Sequence, residues 1–153
     1  MALYFLDSSA LVKRYITERG TTWIQDLFLA SNNNRITAAL ISGAEVVAAV
    51  ARRRRAGSVA DPDAARVLSQ FRADFFTDIG IIEITTAVID EAMRLAERHA
   101  LRGYDAVQLA AALAFQAISA AAGLTATLVS ADRELNAAAV GEELVVEDPN
   151  SHP

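Results

Sequence analysis

Residues 3–14 read LYFLDSSALVKR and join a short apolar run to an acid and then to a helix-like run. The apolar run, Leu3–Leu6, is too short for a helix and is typical of a buried strand in a parallel sheet. The paired serines that follow Asp7 can cap a helix that extends to about residue 14. A strand, an acid and a helix in immediate succession predict an α/β fold with a carboxylate at the end of a strand.

The rest of the chain repeats this alternation of strand-like and helix-like segments. Short apolar or β-branched runs predict further strands at 35–37, 79–84, 126–129 and 144–146. Capping residues and helical spacing predict helices at about 8–14, 21–30, 39–55, 61–76, 85–101, 106–122 and 133–139. Strands that alternate with helices indicate a mainly parallel sheet with helices on both of its faces.

The composition, with 153 residues of which 53% are hydrophobic, favours one domain over 1–148, followed by a loose tail at 149–153. The chain has no cysteine and only two histidines, so any metal must be held by oxygen ligands. The N-terminus lacks a basic region and is interrupted by Asp7, so we expect no signal peptide and a cytoplasmic location. The alanine-rich run 106–128 is expected to be a core helix, a loop and a strand, not a membrane span.

Four acids lie in apolar surroundings in distant parts of the chain. Asp7 and Asp132 follow predicted strands, at the ends where α/β sheets bind their ligands. Glu45 and Asp105 lie on predicted helices. Carboxylates that come close together repel each other, and some protonate unless a cation joins them. Mg²⁺ or Mn²⁺ suits such oxygen ligands and supports hydrolysis of phosphodiesters.

Each acid also has a purely structural interpretation. Asp132 can cap the helix that follows it. Asp105 lies in a first helical turn, where the helix dipole favours an anion. Glu45, in the middle of a predicted helix, could face solvent. Asp7, directly after an apolar strand, fits a functional role better than a structural one.

Four segments together resemble the motifs of a known family. YFLDSSALVKRY, at 4–15, resembles the opening of the PIN-domain ribonucleases, and in particular of the VapC toxins of bacterial toxin–antitoxin pairs. ISGAEVVAAV, RGYDAVQLAAA and LVSADRELNAAA resemble the second, third and fourth motifs. The resemblance runs from about residue 2 to residue 146, and no acid of the pattern is missing.

The resemblance implies a three-layer α/β/α PIN-like domain with a central, mainly parallel sheet. It implies a Mg²⁺ or Mn²⁺ ion held by the four motif acids, Asp7, Glu45, Asp105 and often Asp132. Ser9 and Ser130 would be polar supports of that pocket. The implied activity is endonucleolytic cleavage of RNA by metal-activated water. The implied partners are an antitoxin that blocks the site and a second copy of the chain in a homodimer.

A basic cluster, Arg52 to Arg55, stands out in a chain whose net charge is −5. It ends the predicted helix 39–55, where cations suit the helix dipole. Four consecutive positions go most of the way round a helix, so they cannot all face one partner. We expect one or two of these residues to contact RNA phosphates; the candidates are Arg52, Arg53, Arg54 and Arg55.

An antitoxin could use both the acids and an apolar surface. Its arginine or lysine would pair with the carboxylates, since a guanidinium binds them bidentately. Apolar residues early in the chain are expected to be mostly core, and the remainder could form a groove for an antitoxin helix. These residues are Leu11, Val12, Tyr15, Trp23, Ile24, Leu27 and Phe28.

Other functions remain as alternatives. A phosphatase of the haloacid dehalogenase kind needs a second aspartate two residues after the first, where this chain has Ser9. A receiver domain needs an acidic pair near the first strand and a lysine after the last, and neither is apparent. A non-catalytic interaction protein of this fold and a PIN nuclease that acts in RNA maturation, not as a toxin, stay open.

Overall fold

The computed structural model describes residues 1–152 and contains a five-stranded sheet in which every pairing is parallel. The strands lie in the order β3-β2-β1-β4-β5. Their bounds are β1 Leu3–Leu6, β2 Arg35–Ala39, β3 Gly80–Ile82, β4 Ala126–Val129 and β5 Val145–Glu147. The expected mainly parallel sheet is therefore confirmed.

Seven α-helices connect and flank these strands within residues 1–152. Their bounds are α1 Ser8–Leu11, α2 Thr21–Leu27, α3 Ser42–Arg55, α4 Asp61–Phe75, α5 Thr86–His99, α6 Gly103–Ala121 and α7 Arg133–Gly141. Short 3₁₀ helices occupy Val12–Arg14, Ala30–Asn32 and Pro149–Ser151.

The sheet separates two apolar cores, as the pleat of a strand requires. Leu3 and Phe5 of β1 point to a core that is closed by α5, α6 and α7. Leu6 points to the opposite core, which is closed by α1 to α4, and Tyr4 packs against it. Successive side chains of a strand face opposite sides, so one short strand serves both cores. The three-layer α/β/α architecture is confirmed.

The central position of β1 brings distant residues to one edge of the sheet. In the register of β1 and β4, Leu6 lies beside Val129. The Asp7 amide then donates a hydrogen bond to the Val129 carbonyl at 3.1 Å. Asp7 and Ser130 are thus neighbours just beyond the carboxyl ends of adjacent strands, where this fold class binds ligands.

Some element boundaries differ from the expectation. The helix expected from residue 39 begins at Ser42, because β2 continues to Ala39, where it pairs with Ile82 of β3. Residues 36–39 are all buried, and a continuous buried run carries no periodic signal that separates a strand from the helix after it. Ala60 occupies the N-cap position of α4, and Asp61 is the first residue of that helix, as expected.

The C-terminal segment is not the loose tail that was expected. Pro149 is buried within the 3₁₀ helix Pro149–Ser151. The ammonium of Lys13 donates to Asn150 Oδ1 at 3.1 Å, and the ring of His152 stacks on Trp23 at 4.1 Å between centroids. A long-range ion–dipole contact and an aromatic stack hold the segment, and neither can be inferred from a short polar sequence. Pro153 lies outside the described residues.

The early apolar residues are mostly core, as expected, and polar side chains contact the remaining three. Four of them, Leu11, Val12, Ile24 and Leu27, are buried in the core. Of the remaining three, Phe28 lies beneath the guanidinium of Arg14 and Trp23 lies beneath His152. Tyr15 donates its hydroxyl to Asp74 Oδ2 at 3.0 Å. Polar side chains therefore engage the faces that were expected to be open.

None of the helices in residues 1–152 has the length and apolar character needed to cross a membrane. The run 106–128 forms most of α6, a turn at Gly123 and the start of β4. This arrangement matches the expectation for that run.

Candidate active site

Asp7 lies at the centre of a hydrogen-bonded network beyond β1. It caps α1, where its Oδ1 accepts from the Ala10 amide at 2.9 Å. The Ser9 hydroxyl donates to Oδ1 at 2.7 Å and lies 3.0 Å from Oδ2, and the Ser130 hydroxyl donates to Oδ2 at 3.0 Å. The carboxylate is 3% exposed and both of its oxygens accept hydrogen bonds.

Ser9 and Ser130 also fix the loop after β4. The Ala131 amide donates to Ser9 Oγ at 2.9 Å, and the Asp132 amide donates to Ser130 Oγ at 3.0 Å. Each serine therefore joins the Asp7 carboxylate to the backbone that carries Asp132. These contacts place both serines against Asp7, and their role as supports of a metal pocket stays a prediction.

Asp7 is buried, and within residues 1–152 it has no cationic side chain as a partner. Burial raises the pKa of Asp7 to about 7, against the hydrogen bonds from Ser9, Ala10 and Ser130, which lower it. The negative charge of Glu45 raises the pKa further. Among residues 1–152, no lysine, arginine or histidine forms a salt bridge with Asp7. A buried carboxylate without a positive partner is costly unless a cation binds.

Glu45 lies in the first turn of α3 and is half-buried. Gln108 Nε2 donates to Glu45 Oε1 at 2.6 Å and to Ser42 Oγ at 2.9 Å. Burial raises the pKa of Glu45, the Gln108 hydrogen bond opposes that shift, and the charge of Asp105 adds to it. Glu45 therefore does not face solvent freely, as one interpretation of the sequence allowed.

Gln108 is a site residue that the sequence analysis missed. It is 1% exposed, and its Oε1 atom is buried without a hydrogen-bond partner. Gln108 follows Asp105 by three positions on α6, so both side chains lie on one face of that helix. A polar residue on the face that carries a candidate acid was the signal that could have identified it.

Asp105 lies in the first turn of α6 but does not cap it. Arg102 occupies the N-cap position, and its side chain makes no capping bond. Burial raises the pKa of Asp105, and the charge of Asp132 raises it further. Asp105 is therefore not the N-cap of α6, and its location in the first turn suits an anion, as the sequence indicated.

Asp132 is the N-cap of α7, as one interpretation of the sequence expected, and its role as a site acid stays a prediction. Its Oδ1 accepts from the Leu135 amide at 2.9 Å, which caps α7. Its charge also acts on Asp105. The cap fixes the side chain of Asp132 in place beside the other acids.

The four acids form an electrostatic series. The charge of Glu45 raises the pKa of Asp7, the charge of Asp105 raises the pKa of Glu45, and the charge of Asp132 raises the pKa of Asp105. Within residues 1–152, however, no three acidic or histidine side chains converge closely enough to hold a metal ion by themselves. Mg²⁺ binds through one or two carboxylates and keeps several waters. The all-oxygen donors and the uncompensated charge of Asp7 fit such a hydrated ion.

Of the four acids, Glu45 lines a cavity of about 570 Å³, whereas Asp7, Asp105 and Asp132 are not among its lining residues. Glu45, Ser8 and Ser9 line one part of it, and Tyr104, which is 65% exposed, lies at its edge. Arg52 and Arg53 also line this cavity. The other two arginines of the basic cluster, Arg54 and Arg55, lie beside a different cavity together with Arg52 and Asp61. The basic cluster is thus divided between two surfaces.

Comparisons with known proteins identify relatives of this chain, although no protein-family model matches it. It is 34% identical over 114 residues to Ribonuclease VapC45 of Mycobacterium tuberculosis (strain CDC 1551 / Oshkosh), a match that covers 74% of this chain and 77% of that protein. Ribonuclease VapC49 of M. tuberculosis (strain ATCC 25618 / H37Rv) matches to the same extent.

Solved structures share the fold at lower identity. VapBC2 from Rickettsia felis, bound to a DNA fragment from its promoter, has a TM-score of 0.64 at 18% identity, with coverage of 95% of this chain and 98% of that one. A toxin–antitoxin complex from Klebsiella pneumoniae has a TM-score of 0.58 at 17% identity, with coverage of 97% and 98%. Together with the sequence relatives, they show that the chain belongs to the VapC family of PIN-domain ribonucleases.

Proposed function

We propose that this protein is a toxin endoribonuclease whose active site is the group Asp7, Glu45, Asp105 and Asp132. The observation that carries the proposal is the burial of Asp7 without a cationic side chain as partner, close to the charge of Glu45, which lines a cavity. A strongly shifted carboxylate in a cleft is a general indication of a functional site. Membership of a ribonuclease family gives that indication a reaction class.

A divalent cation, Mg²⁺ or Mn²⁺, is the proposed cofactor. Of the acids Asp7, Glu45, Asp105 and Asp132, one or two would bind the ion directly, and the others would hold it through its bound waters. Such an ion lowers the pKa of bound water and stabilises charge on a phosphoryl oxygen. Its positive charge would also keep the carboxylate of Asp7 ionised near neutral pH, which burial alone opposes.

The neighbouring polar residues would keep the acids in position. Ser9 and Ser130 each donate a hydrogen bond to one oxygen of Asp7. These two bonds would fix the orientation of the carboxylate and therefore of its remaining lone pairs. Gln108 restrains Glu45 in the same manner from α6. Hydrogen bonds that fix ligand carboxylates commonly decide both the affinity and the geometry of a metal site.

The substrate is proposed to be RNA, which would enter the cavity from the side of Arg52 and Arg53. Both arginines line the cavity that Glu45 also lines. Cationic side chains beside an acidic centre would bind phosphates next to the one that is cleaved. Arg54 and Arg55 lie beside the other cavity, so they are weaker candidates for this contact.

An antitoxin is the proposed protein partner, and a homodimer is the proposed assembly. The VapBC complexes among the structural neighbours support the antitoxin. Without metal, the acids make the site strongly negative, so a partner that inserts an arginine would compete with the cation. A cytoplasmic location also stays part of the proposal.

The test is a cleavage assay with single-stranded RNA in the presence of Mn²⁺ or of a chelator. We expect cleavage with Mn²⁺ and none with the chelator. Asp7→Asn and Asp105→Asn should abolish cleavage and remain folded. Cleavage at the wild-type rate by either variant would show that the active site lies elsewhere. If the wild type cleaves no RNA under any metal condition, the chain is a non-catalytic member of its family.

A further inference from the structure

Two cationic side chains that line the cavity, Lys13 and Arg53, form salt bridges with one glutamate, Glu18. Its Oε1 accepts from the Lys13 ammonium at 3.1 Å, and its Oε2 accepts from Arg53 Nη2 at 3.2 Å. Lys13, Glu18 and Arg53 all line the cavity that Glu45 lines. One carboxylate thus joins a lysine from the first helical segment to an arginine of α3.

Lys13 is not free to bind a ligand. It is 5% exposed, and its ammonium donates to Glu18, to the Arg19 carbonyl at 3.0 Å and to Asn150 Oδ1 at 3.1 Å. An ammonium has three donors, and all three are used. Lys13 therefore fixes Glu18 in place and, through Asn150, attaches the C-terminal 3₁₀ helix to the wall of the cavity.

Arg53, in contrast, keeps donors for a ligand. Its guanidinium has five N–H groups, and only the Nη2 nitrogen donates to Glu18 among the hydrogen bonds of residues 1–152. About 31% of its side chain is exposed. The charges of Lys13 and Arg53 exceed that of Glu18 by one, so the group presents a net positive charge to the cavity. A guanidinium held in one orientation loses less entropy when it binds a phosphate.

We propose that Glu18, held by Lys13, is a positioning residue that orients Arg53 toward the acid cavity, where Arg53 binds a phosphate of the RNA substrate. This inference rests on the proposed function. It selects Arg53 as the ordered phosphate contact from the cluster Arg52 to Arg55. Arg52, which is exposed and shares the cavity, has no salt bridge within residues 1–152 that would orient it in this way.

The experiment compares two charge-matched variants, Arg53→Gln and Arg54→Gln. Binding of a fluorescein-labelled single-stranded RNA is measured by anisotropy over a salt series with Mn²⁺, in an Asp7→Asn background in which no cleavage is expected. We expect Arg53→Gln to weaken binding about tenfold and to reduce the salt slope by about one. Arg54 is exposed and does not line this cavity, so Arg54→Gln should change the affinity and the salt slope much less than Arg53→Gln does. Arg53→Lys should restore the salt slope but only part of the affinity.

Glu18→Gln separates positioning from simple electrostatics. Removal of a negative charge beside the cavity should strengthen RNA binding by Coulomb attraction alone. If Glu18 positions Arg53, binding should instead weaken by several-fold, and the change should vanish in the Arg53→Gln background. Glu18→Asp keeps the countercharge of Lys13 and withdraws the carboxylate from Arg53, so it serves if Glu18→Gln does not fold.

Equal salt slopes for Arg53→Gln and Arg54→Gln would overturn the proposal. Unchanged or tighter binding by a folded Glu18 variant would overturn it as well. Cleavage of the same RNA by the protein with Asp7 intact is measured in parallel. If that protein cleaves and the binding results are negative, only this inference fails. If it neither binds nor cleaves RNA, the proposed function fails with it.

Discussion

At the scale of single residues, the ionisation of Asp7 links the site to stability. Burial raises the pKa of Asp7 to about 7 from an ordinary value of 3.8. At a pH between these two pKa values, Asp7 is protonated in the folded protein and ionised in the unfolded chain. The free energy of unfolding therefore decreases as the pH rises from about 4 to about 7, and this contribution is constant above that range. For one group the slope is about 1.4 kcal/mol per pH unit.

We predict that Asp7→Asn removes this contribution in the metal-free protein. The variant should be more stable than the wild type above about pH 7, and the difference should shrink as the pH falls toward about 4. Urea unfolding with a chelator present measures both profiles. Asp61→Asn, at an exposed position of α4, is the control and should leave the profile unchanged. Parallel profiles for Asp7→Asn and the wild type would contradict a raised pKa of Asp7 in the folded protein.

Gln108 provides a second prediction at this scale. Gln108→Met retains the volume and removes the hydrogen bond to Glu45, so Glu45 loses its restraint. We expect the rate of RNA cleavage to fall by at least about tenfold, as for a lost bond to a charged group. Ser119→Ala is a matched control on the same helix, since its buried hydroxyl bonds only the Phe115 carbonyl. It should affect stability without affecting cleavage. Equal activity of Gln108→Met and the control would assign Gln108 a structural role alone.

Sequence reasoning could select the candidate acids and serines because each stands out locally. Asp7 interrupts an apolar strand, and Ser130 and Asp132 follow another. Glu18 and Gln108 do not stand out in this way. Glu18 pairs with Lys13 and Arg53, which lie on two separate elements. Gln108 bonds Glu45, which is 63 positions away in the sequence. Such contacts depend on tertiary packing, which a pattern of spacing does not encode.

At the scale of helices and strands, Asp132 caps α7 and also contributes a negative charge near Asp105. Asn is a competent N-cap and Ala is not, so two variants separate the roles. We predict that Asp132→Ala lowers the free energy of unfolding by about 1 kcal/mol relative to Asp132→Asn. Both variants remove the charge and should slow cleavage equally. Urea unfolding and the cleavage assay give the two quantities.

Thr85→Ala is the control for this pair, because Thr85 caps α5 through the Val88 amide at 3.2 Å. It should lower stability by a similar amount and leave cleavage unchanged. If Asp132→Asn cleaves at the wild-type rate, Asp132 acts only as a cap.

The elements themselves were predictable to different degrees. β1 and β4 match the expected bounds, since each is a short apolar run that ends at polar residues. The start of α3 did not match, because β2 and the turn before α3 continue one apolar stretch. The Pro149–Ser151 helix was not expected, because its contacts come from Lys13 and Trp23 at the other end of the chain.

At the scale of the whole molecule, the sheet order brings the elements that carry the four acids toward one edge of the sheet. β1 lies between β2 and β4, so the carboxyl end of β1 is flanked by the loops that lead to α3 and α7. α6 packs across the same sheet and contributes Asp105 and Gln108. Hydrophobic burial on both faces of the sheet holds these elements together, so the repulsion among the acids is a local cost within a stable fold.

The central claim is that Asp7, Glu45, Asp105 and Asp132 form one cation site. The most direct measurement is a titration of the protein with Mn²⁺, in which electron paramagnetic resonance reports the free ion. We predict saturable binding by the wild type, at least about tenfold weaker binding by Asp7→Asn and by Asp105→Asn, and unchanged binding by Asp61→Asn. Wild-type affinity in both Asp7→Asn and Asp105→Asn would contradict the claim.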